Sequence, residues 1–447
     1  MAEPLLITGC MLVNEGQVFK GSVLIQQGRI EEIFRDDREI PAGLPAIDAE
    51  GDYLLPGVID DHVHFREPGL TAKGDIHSES RAAVAGGVTS FMDMPNTDPR
   101  ATTLEILEQK FRIASEHSLA NYSFFLGAAA DNLAEIEKAD PSAICGLKLF
   151  MGASTGNMLV EDPEILASIF ERSPLLIAVH CEDEATVQKN LEKYRKEFGE
   201  NIPINAHSWI RDEEACYRAS EKAVDLARRF GSRLHLLHIS TAKELGLLKD
   251  TLPLEQKKIT AEVCVHHLWF DEGDYVRLGS LIKWNPSVKT RCDREALLNG
   301  LLKDRLDLVA TDHAPHTWEE KQRPYEKCPS GGPMIQHSLV AMLELCRQGK
   351  LSPEKVVEKM CHAPAILYRI KERGFIRKGY HADLVRVSPD APWEVNKGNI
   401  LYKCGWSPLE GVQFSWAVRQ TFVNGNLVYD HGKFNETIKG ERLVFKY

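Results

Sequence analysis

Apolar runs alternate with amphipathic stretches over about 260 residues, and this alternation constrains the fold more than any other feature of the chain. The runs cover 53–64, 88–95, 121–128, 144–152, 175–181, 233–240, 258–268 and 306–315. Stretches such as Leu-Leu-Ile-Ala-Val-His-Cys and Leu-Asp-Leu-Val-Ala-Thr-Asp are apolar on both faces, as strands of a parallel sheet covered on both sides must be. Helical periodicity fills the intervals, for example at 104–118, 213–230 and 294–303. The expected class is α/β, with a (β/α)8 barrel over residues 55–380. A doubly wound open sheet competes, because counting strands does not prove closure.

The pattern differs at both ends. Short strands and turns occupy 1–54, with a turn at Gln27-Gly28-Arg29. After residue 380, β-type runs return at 382–387, 416–423 and 427–429 around the hairpin signal Asn424-Gly425-Asn426. Segments 1–54 and 381–447 are therefore expected to pair into one small β-domain beside the barrel.

Composition narrows the partners. The 447 residues carry 54 basic and 65 acidic side chains, a net charge of −11. That balance argues against nucleic acid as the main partner. No apolar run approaches the ~18–20 residues that span a bilayer, so no membrane partner is expected. The opening MAEPLLITGCMLVNEG lacks the basic and long apolar parts of a signal peptide. The ten cysteines are scattered without a CxxC, which suits reduced thiols in the cytoplasm. A homodimer is compatible with the sequence and not required by it.

Polar residues stand at the ends of the apolar runs. His62 and His64 close the first, in IDDHVHFREPG. At i and i+2 they share a strand face, roughly 6–7 Å apart at the backbone, where two imidazoles can converge on one metal ion. Alone, such a pair is equally a solvated strand end. His180, His238 and Asp312 close three further runs. In a barrel all these ends meet at the one mouth where active sites sit. Lys148 lies inside the apolar Cys-Gly-Leu-Lys-Leu-Phe-Met. A buried ammonium is costly unless paired or deprotonated. Either it reaches an acidic partner, or the neutral amine adds CO2 and becomes a carbamate able to bridge two metals.

Together these residues resemble the dinuclear metal pattern of the amidohydrolase superfamily: HxH on strand one, lysine on strand four, single histidines on strands five and six, aspartate on strand eight. The resemblance spans nearly the whole chain, including GFIRKGYHADLVRV at 374–387. Within the superfamily, HFREPG (64–69), MPNTDP (94–99), WNPSVKT (284–290) and TDHAPH (311–316) resemble dihydroorotases. The resemblance implies two divalent ions, zinc being the expected element. One would be held by His62, His64, carboxylated Lys148 and Asp312, the other by the same carbamate, His180 and His238. It makes Asp312 the general acid and base. It also implies that Arg66, Asn96 and His316 hold a substrate carboxylate, chemistry that suits a guanidinium fork completed by neutral N–H donors. Asn285 would touch the substrate ring. Ser330 and Gly331 of SGGP would offer backbone groups to the ring amide, or simply form a turn.

The implied reaction, on a small-molecule substrate, is the reversible hydrolysis of L-dihydroorotate to N-carbamoyl-L-aspartate, a step of pyrimidine biosynthesis. Many bacterial dihydroorotases of similar sequence have no lysine in GLKLF; its presence here favours the carboxylated arrangement. Allantoinase, another cyclic-amide hydrolase, or a metal-free scaffold are the alternatives. Allantoinases usually lack both the arginine before EPG and the asparagine of PNT, and scaffolds lose metal ligands. Segment 152–157 is expected to be a mobile loop over the mouth, with Ser154 and Thr155 as candidate substrate contacts, or else a passive connector. His266 and His267 are read as supporting or core residues without a metal role. His77, His117, His207, His235, His337, His362, His381 and His431 have no convergent context and are read as structural or surface residues.

Overall fold

The apolar run 53–64 reads as one strand, yet it is two. In the computed structural model, which describes residues 4–36, 40–41, 43–152 and 158–447, Tyr53–Pro56 belongs to one sheet and Val58–Val63 to another. Gly57 is the point of transfer. Its N–H donates to the Asp383 carbonyl at 2.8 Å, and a Cβ there would come within 2.0 Å of Thr89 Oγ1. Only glycine lets the backbone pass this close to the second barrel strand.

From Val58 the chain builds eight parallel strands: Val58–Val63, Val88–Asp93, Asn121–Gly127, Gly146–Phe150, Ile177–His180, Leu234–Leu236, Ile259–Cys264 and Leu308–Ala310. They lie side by side in chain order. Strand eight returns to strand one through a parallel bridge between Val63 and His313, with His64 N–H donating to His313 O at 2.7 Å. The sheet thus curls into a nearly closed barrel, and the open-sheet alternative falls away.

The helices follow from apolar periodicity and defined ends. Glu213–Phe230 starts at an Asp212 cap, buries Ala215, Ala219, Ala223 and Ala227 along one stripe, and stops at Gly231, whose φ is 70°. Leu104–His117 starts at a Thr103 cap. The helix expected from 294 begins earlier, at Arg291, because Thr290 and Asp293 form a reciprocal capping box. Ile59, Met92, Phe125, Ala178, Cys264 and Leu308 form a core cluster with Tyr368 and Phe445.

The first and last segments share a nine-stranded sheet. Tyr53–Pro56 is its junction, parallel to Leu5–Asn14 and antiparallel to Leu384–Ser388. Its hairpins turn through paired positive φ values, Gln27 and Gly28 at 51° and 77°, Asn424 and Gly425 at 51° and 75°, with glycine at the second position each time. Among the described residues, no helix is long and apolar enough to cross a membrane. Ser154 and Thr155 lie outside the described residues.

Candidate active site

His62 lies in the first barrel strand and His64 just beyond it, so both side chains face the mouth. His62 Nδ1 lies 2.6 Å from Glu262 Oε1, and His64 Nδ1 lies 2.7 Å from Asn96 Oδ1. Both partners are oxygens without a proton to give, so each ring carries its hydrogen on Nδ1 and keeps a lone pair on Nε2. Those two Nε2 atoms stand 3.4 and 3.2 Å from Asp312 Oδ1. Three electron-pair donors therefore converge with no proton between them. Ligands about 2.0–2.1 Å from a tetrahedral ion lie about 3.3 Å from one another. The donor set and its spacing fit a divalent metal, zinc included.

A second group sits alongside. His180 closes strand five, and its Nε2 donates to Glu182 Oε2 at 3.0 Å, leaving Nδ1 directed at His238 Nε2, 2.9 Å away. Burial would raise the Glu182 carboxyl, but Arg211, at 2.6 Å, and His180 hold it down at about 2. His238 Nδ1 is buried and has no hydrogen-bond partner among the described residues. Lys148 in strand four is buried, with its Nζ 4.7 Å from the Phe150 ring centre. Burial depresses its amine to about 8, against the opposing pull of Asp312 and Glu262.

The backbone at the mouth is strained. Arg66, His238 and Asp312 have φ of 70°, 40° and 44°, left-handed values that cost a side-chain-bearing residue about 1–3 kcal/mol each. Each is held by a bond from elsewhere in the barrel. Arg66 Nε donates to Pro315 O at 3.0 Å, His238 N–H to Glu262 Oε1 at 2.9 Å, and Trp284 Nε1 to Asp312 O at 3.3 Å.

One cavity of about 110 Å³ is lined by His62, His64, Arg66, Asn96, Lys148, His180, His238, Asn285, Asp312, His316, Ser330 and Gly331. Every described residue singled out in the sequence for metal or substrate thus faces the same space. Gly331 is engaged inward: its N–H donates to Lys283 O and its carbonyl accepts from Lys321 Nζ, both at 2.8 Å. Ser330 O lies 3.1 Å from His316 Nε2. Asn285 Oδ1 is buried with no hydrogen-bond partner among the described residues. A larger cavity of about 550 Å³, beside Trp393 and Tyr429, contains none of these groups.

Sequence reasoning missed the layer that holds this set. Glu262, Glu182 and Asp60 are buried acids behind the ligands. Asp60 joins strand one to strand eight by accepting from Thr311 Oγ1 at 2.6 Å. His235, read from the sequence as lacking convergent context, is in fact clamped between Asp61 and Glu262, at 3.5 and 3.2 Å. Burial would lower this imidazole, but the two carboxylates raise it to about 9. An acid inside the apolar Ile-Thr-Ala-Glu-Val-Cys carried the same signal as Lys148. His266 stacks on Trp284 with ring centres 4.3 Å apart. Cys264, His266 and His267 also bring three donor atoms together, all of them buried, though none of the three lines the cavity.

Comparison with known proteins agrees with this geometry. Residues 53–428 match the model of the amidohydrolase family. The chain is similar to a protein named dihydroorotase from Methanosarcina acetivorans, 32% identical over 92% of this chain and 89% of that one. It is also similar to a dihydroorotase from Thermococcus kodakarensis, 31% identical over 98% of both. Among solved structures, an L-hydantoinase from Arthrobacter aurescens superposes with a TM-score of 0.91 at 27% identity, covering 97% of this chain and 98% of that one. A dihydropyrimidinase from Brevibacillus agri shares the fold, with a TM-score of 0.88 at 24% identity over 99% of this chain and 100% of that one.

Proposed function

This chain belongs to the amidohydrolase family and is a metal-dependent cyclic amidohydrolase; on that premise we propose that it is a dihydroorotase, interconverting L-dihydroorotate and N-carbamoyl-L-aspartate. The observation that carries the reading is Arg66. Its guanidinium is buried at the cavity wall and makes no ion pair with a carboxylate among the described residues. Burial lowers even this group, to about 10. A buried, unpaired cation calls for an anion from the ligand. The carboxylate of dihydroorotate meets that need, with the Asn96 amide and His316 completing the cradle. Hydantoin, the ring in the name of the Arthrobacter relative, has no carboxylate and would leave Arg66 unpaired.

Two divalent ions, held by His62, His64 and Asp312 on one side and His180 and His238 on the other, with carboxylated Lys148 shared between them, would supply an acidified water and a Lewis acid. Lys148 is suited to carboxylation because burial keeps a large fraction of its amine neutral near pH 8. The amine nitrogen bonds to the carbon of CO2 and releases its proton to solvent.

The remaining steps belong to the chain. Arg66, Asn96 and His316 fix the carboxylate, which orients the ring in the cavity. The orphaned Asn285 Oδ1 accepts a ring N–H. The second lone pair of Ser330 O accepts another. As a metal ligand Asp312 would be held ionised, its Oδ1 turned to the Nε2 atoms of His62 and His64. In hydrolysis it takes the proton of the attacking water and delivers it to the leaving ring nitrogen. In the reverse direction it removes that proton as the ring closes. Ser154 and Thr155 remain the proposed contacts from the segment after strand four.

An ultraviolet assay of dihydroorotate hydrolysis, with hydantoin and allantoin as controls, tests the reading. Turnover of dihydroorotate alone is expected. Turnover of hydantoin or allantoin with dihydroorotate untouched would overturn it, and purification without bound metal would favour a scaffold.

A further inference from the structure

His316 is the one member of the carboxylate cradle whose hydrogen-bonding role can reverse, and its surroundings are built for both roles. The ring is buried. Around Nε2 stand Arg66 Nη2 at 3.2 Å and Ser330 O at 3.1 Å. Around Nδ1 stand Lys73 Nζ at 3.3 Å and Glu320 Oε2 at 3.2 Å. Lys73 and Glu320 also pair with each other at 3.1 Å, each about one-fifth exposed (21% and 19%). Arginine and lysine only donate, while a carbonyl and an ionised carboxylate only accept. Each ring nitrogen therefore faces one donor and one acceptor.

Two neutral states of the ring follow. In the first, Nδ1–H donates to Glu320 and the Nε2 lone pair accepts from Arg66, so the guanidinium is tied to His316. In the second, Nε2 carries the hydrogen, which rests on Ser330 O in the empty site and turns to a ligand when one binds, and the Nδ1 lone pair accepts from Lys73, so Arg66 is released. Only the second offers an N–H to a ligand carboxylate. Without Lys73, that state would set a bare Nδ1 lone pair against the Glu320 carboxylate.

We propose that Lys73 and Glu320 are a positioning pair that sets the tautomer of His316, Glu320 stabilising the state that parks Arg66 in the empty site and Lys73 the state that donates to a substrate carboxylate. This rests on the dihydroorotase reading. On binding, Arg66 turns its N–H groups to the carboxylate. The proton on Nδ1 leaves to water through the partly exposed Glu320, and one from water arrives at Nε2, so the ring stays neutral. Glu320 is itself fixed by the capping box of the short helix Trp318–Lys321, since Thr317 N–H donates to Oε2 at 3.2 Å and Glu320 N–H to Thr317 Oγ1 at 3.3 Å. Lys73 closes the turn that begins at Arg66, through Leu70 N–H to Arg66 O and Lys73 N–H to Leu70 O, both 3.0 Å. The two elements that carry the cradle each contribute one member of the pair.

The test uses the metal-loaded enzyme with Lys73→Met and Lys73→Arg. The readouts are KM and kcat for dihydroorotate, the inhibition constant of 5,6-dihydrouracil (the same ring without the carboxylate), and metal content. Lys73→Met is expected to raise KM about tenfold, the equivalent of one charge-assisted hydrogen bond. It should leave kcat within about twofold and should not move the dihydrouracil constant or the metal content. Lys73→Arg should recover most of the loss. An unchanged KM in Lys73→Met, or a dihydrouracil constant that rises by the same factor, overturns the proposal by showing no role or a merely structural one. Failure of the wild-type holoenzyme to turn over dihydroorotate overturns the dihydroorotase reading, and this inference with it.

Discussion

Exchanging Glu262 for glutamine keeps the shape of the side chain and removes one acceptor, which isolates what its charge does. The carboxylate serves three N–H donors and, more weakly, the Cys264 thiol, which reaches Oε1 at 3.8 Å. Oε1 takes His62 Nδ1–H at 2.6 Å and the His238 backbone N–H at 2.9 Å, and Oε2 takes His235 Nε2–H at 3.2 Å. A glutamine has one oxygen and one NH2. The oxygen keeps most by staying with the two metal-facing histidines, which sets the NH2 against His235 Nε2–H. His235 must then give up its second proton.

The size follows from the shift. His235 rises from 6.5 to about 9 in the folded protein. At about 1.4 kcal/mol per unit that is about 3 kcal/mol of coupling, shared between Asp61 and Glu262, so the substitution should cost about 1–2 kcal/mol of stability at neutral pH. His62 loses its anionic partner as well, which lowers metal affinity about 10- to 100-fold. Because the folded pKa is raised, the wild-type contribution is complete below pH 6.5 and is lost as pH rises through about 9. Urea unfolding between pH 6 and 10, with metal release to a graded series of chelators, measures both effects. Wild type should lose stability across that window, and Glu262→Gln should show a flatter slope and earlier metal release. A variant that matches wild type in both would refute the reasoning.

Lys148→Ala should abolish activity and release at least one metal, with partial rescue by short carboxylic acids; an unmodified lysine at full metal occupancy in a high-resolution map would exclude the carbamate. Arg66→Lys keeps the charge but not the fork, so kcat/KM for dihydroorotate should fall by the equivalent of ~2–3 kcal/mol; an unchanged value would remove Arg66 from the carboxylate site. Lys110 Nζ binds Asp93 Oδ2 at 2.5 Å and Met94 O at 2.8 Å, while Asp93 Oδ1 takes Phe65 N–H at 2.6 Å. Lys110→Met should therefore destabilise by about 3–5 kcal/mol in urea unfolding, the cost of a stranded buried carboxylate, and a loss under about 1 kcal/mol would show that the pair is dispensable.

The barrel was legible because strands buried on both faces must be apolar throughout, and a histidine, lysine or aspartate interrupting such a run stands out. The same continuity hid the change of sheet at Gly57, since hydropathy runs straight across it from Tyr53 to Val63. Lys110 was invisible for the opposite reason. It sits in a helix with other charged residues and reads as solvated, and only the fold shows that Asp93 waits beneath it. His235 was misjudged because strand six ends at Leu236, so alternation along a strand cannot place His235 relative to His238. Lys73 occupies a polar turn and Glu320 a polar one-turn helix, where composition carries no signal of burial.

The residues that back the histidines share one physical task. A histidine offers a metal a lone pair only if its other nitrogen keeps the proton, and in water neither tautomer is strongly held. Here Glu262 fixes His62, Asn96 fixes His64 and Glu182 fixes His180. Glu262 lies within strand seven, while Asn96 and Glu182 lie just beyond strands two and five, so ring orientation depends on register across the whole sheet. Asn96 is then not a substrate group alone. Its Oδ1 is committed to His64, so a carboxylate could be met only by its NH2 end. Replacing Asn96 would disturb metal and substrate together, whereas Arg66 touches no metal-facing histidine directly and separates the two. That is why the guanidinium, and not the amide, is the residue on which the carboxylate assignment should be decided.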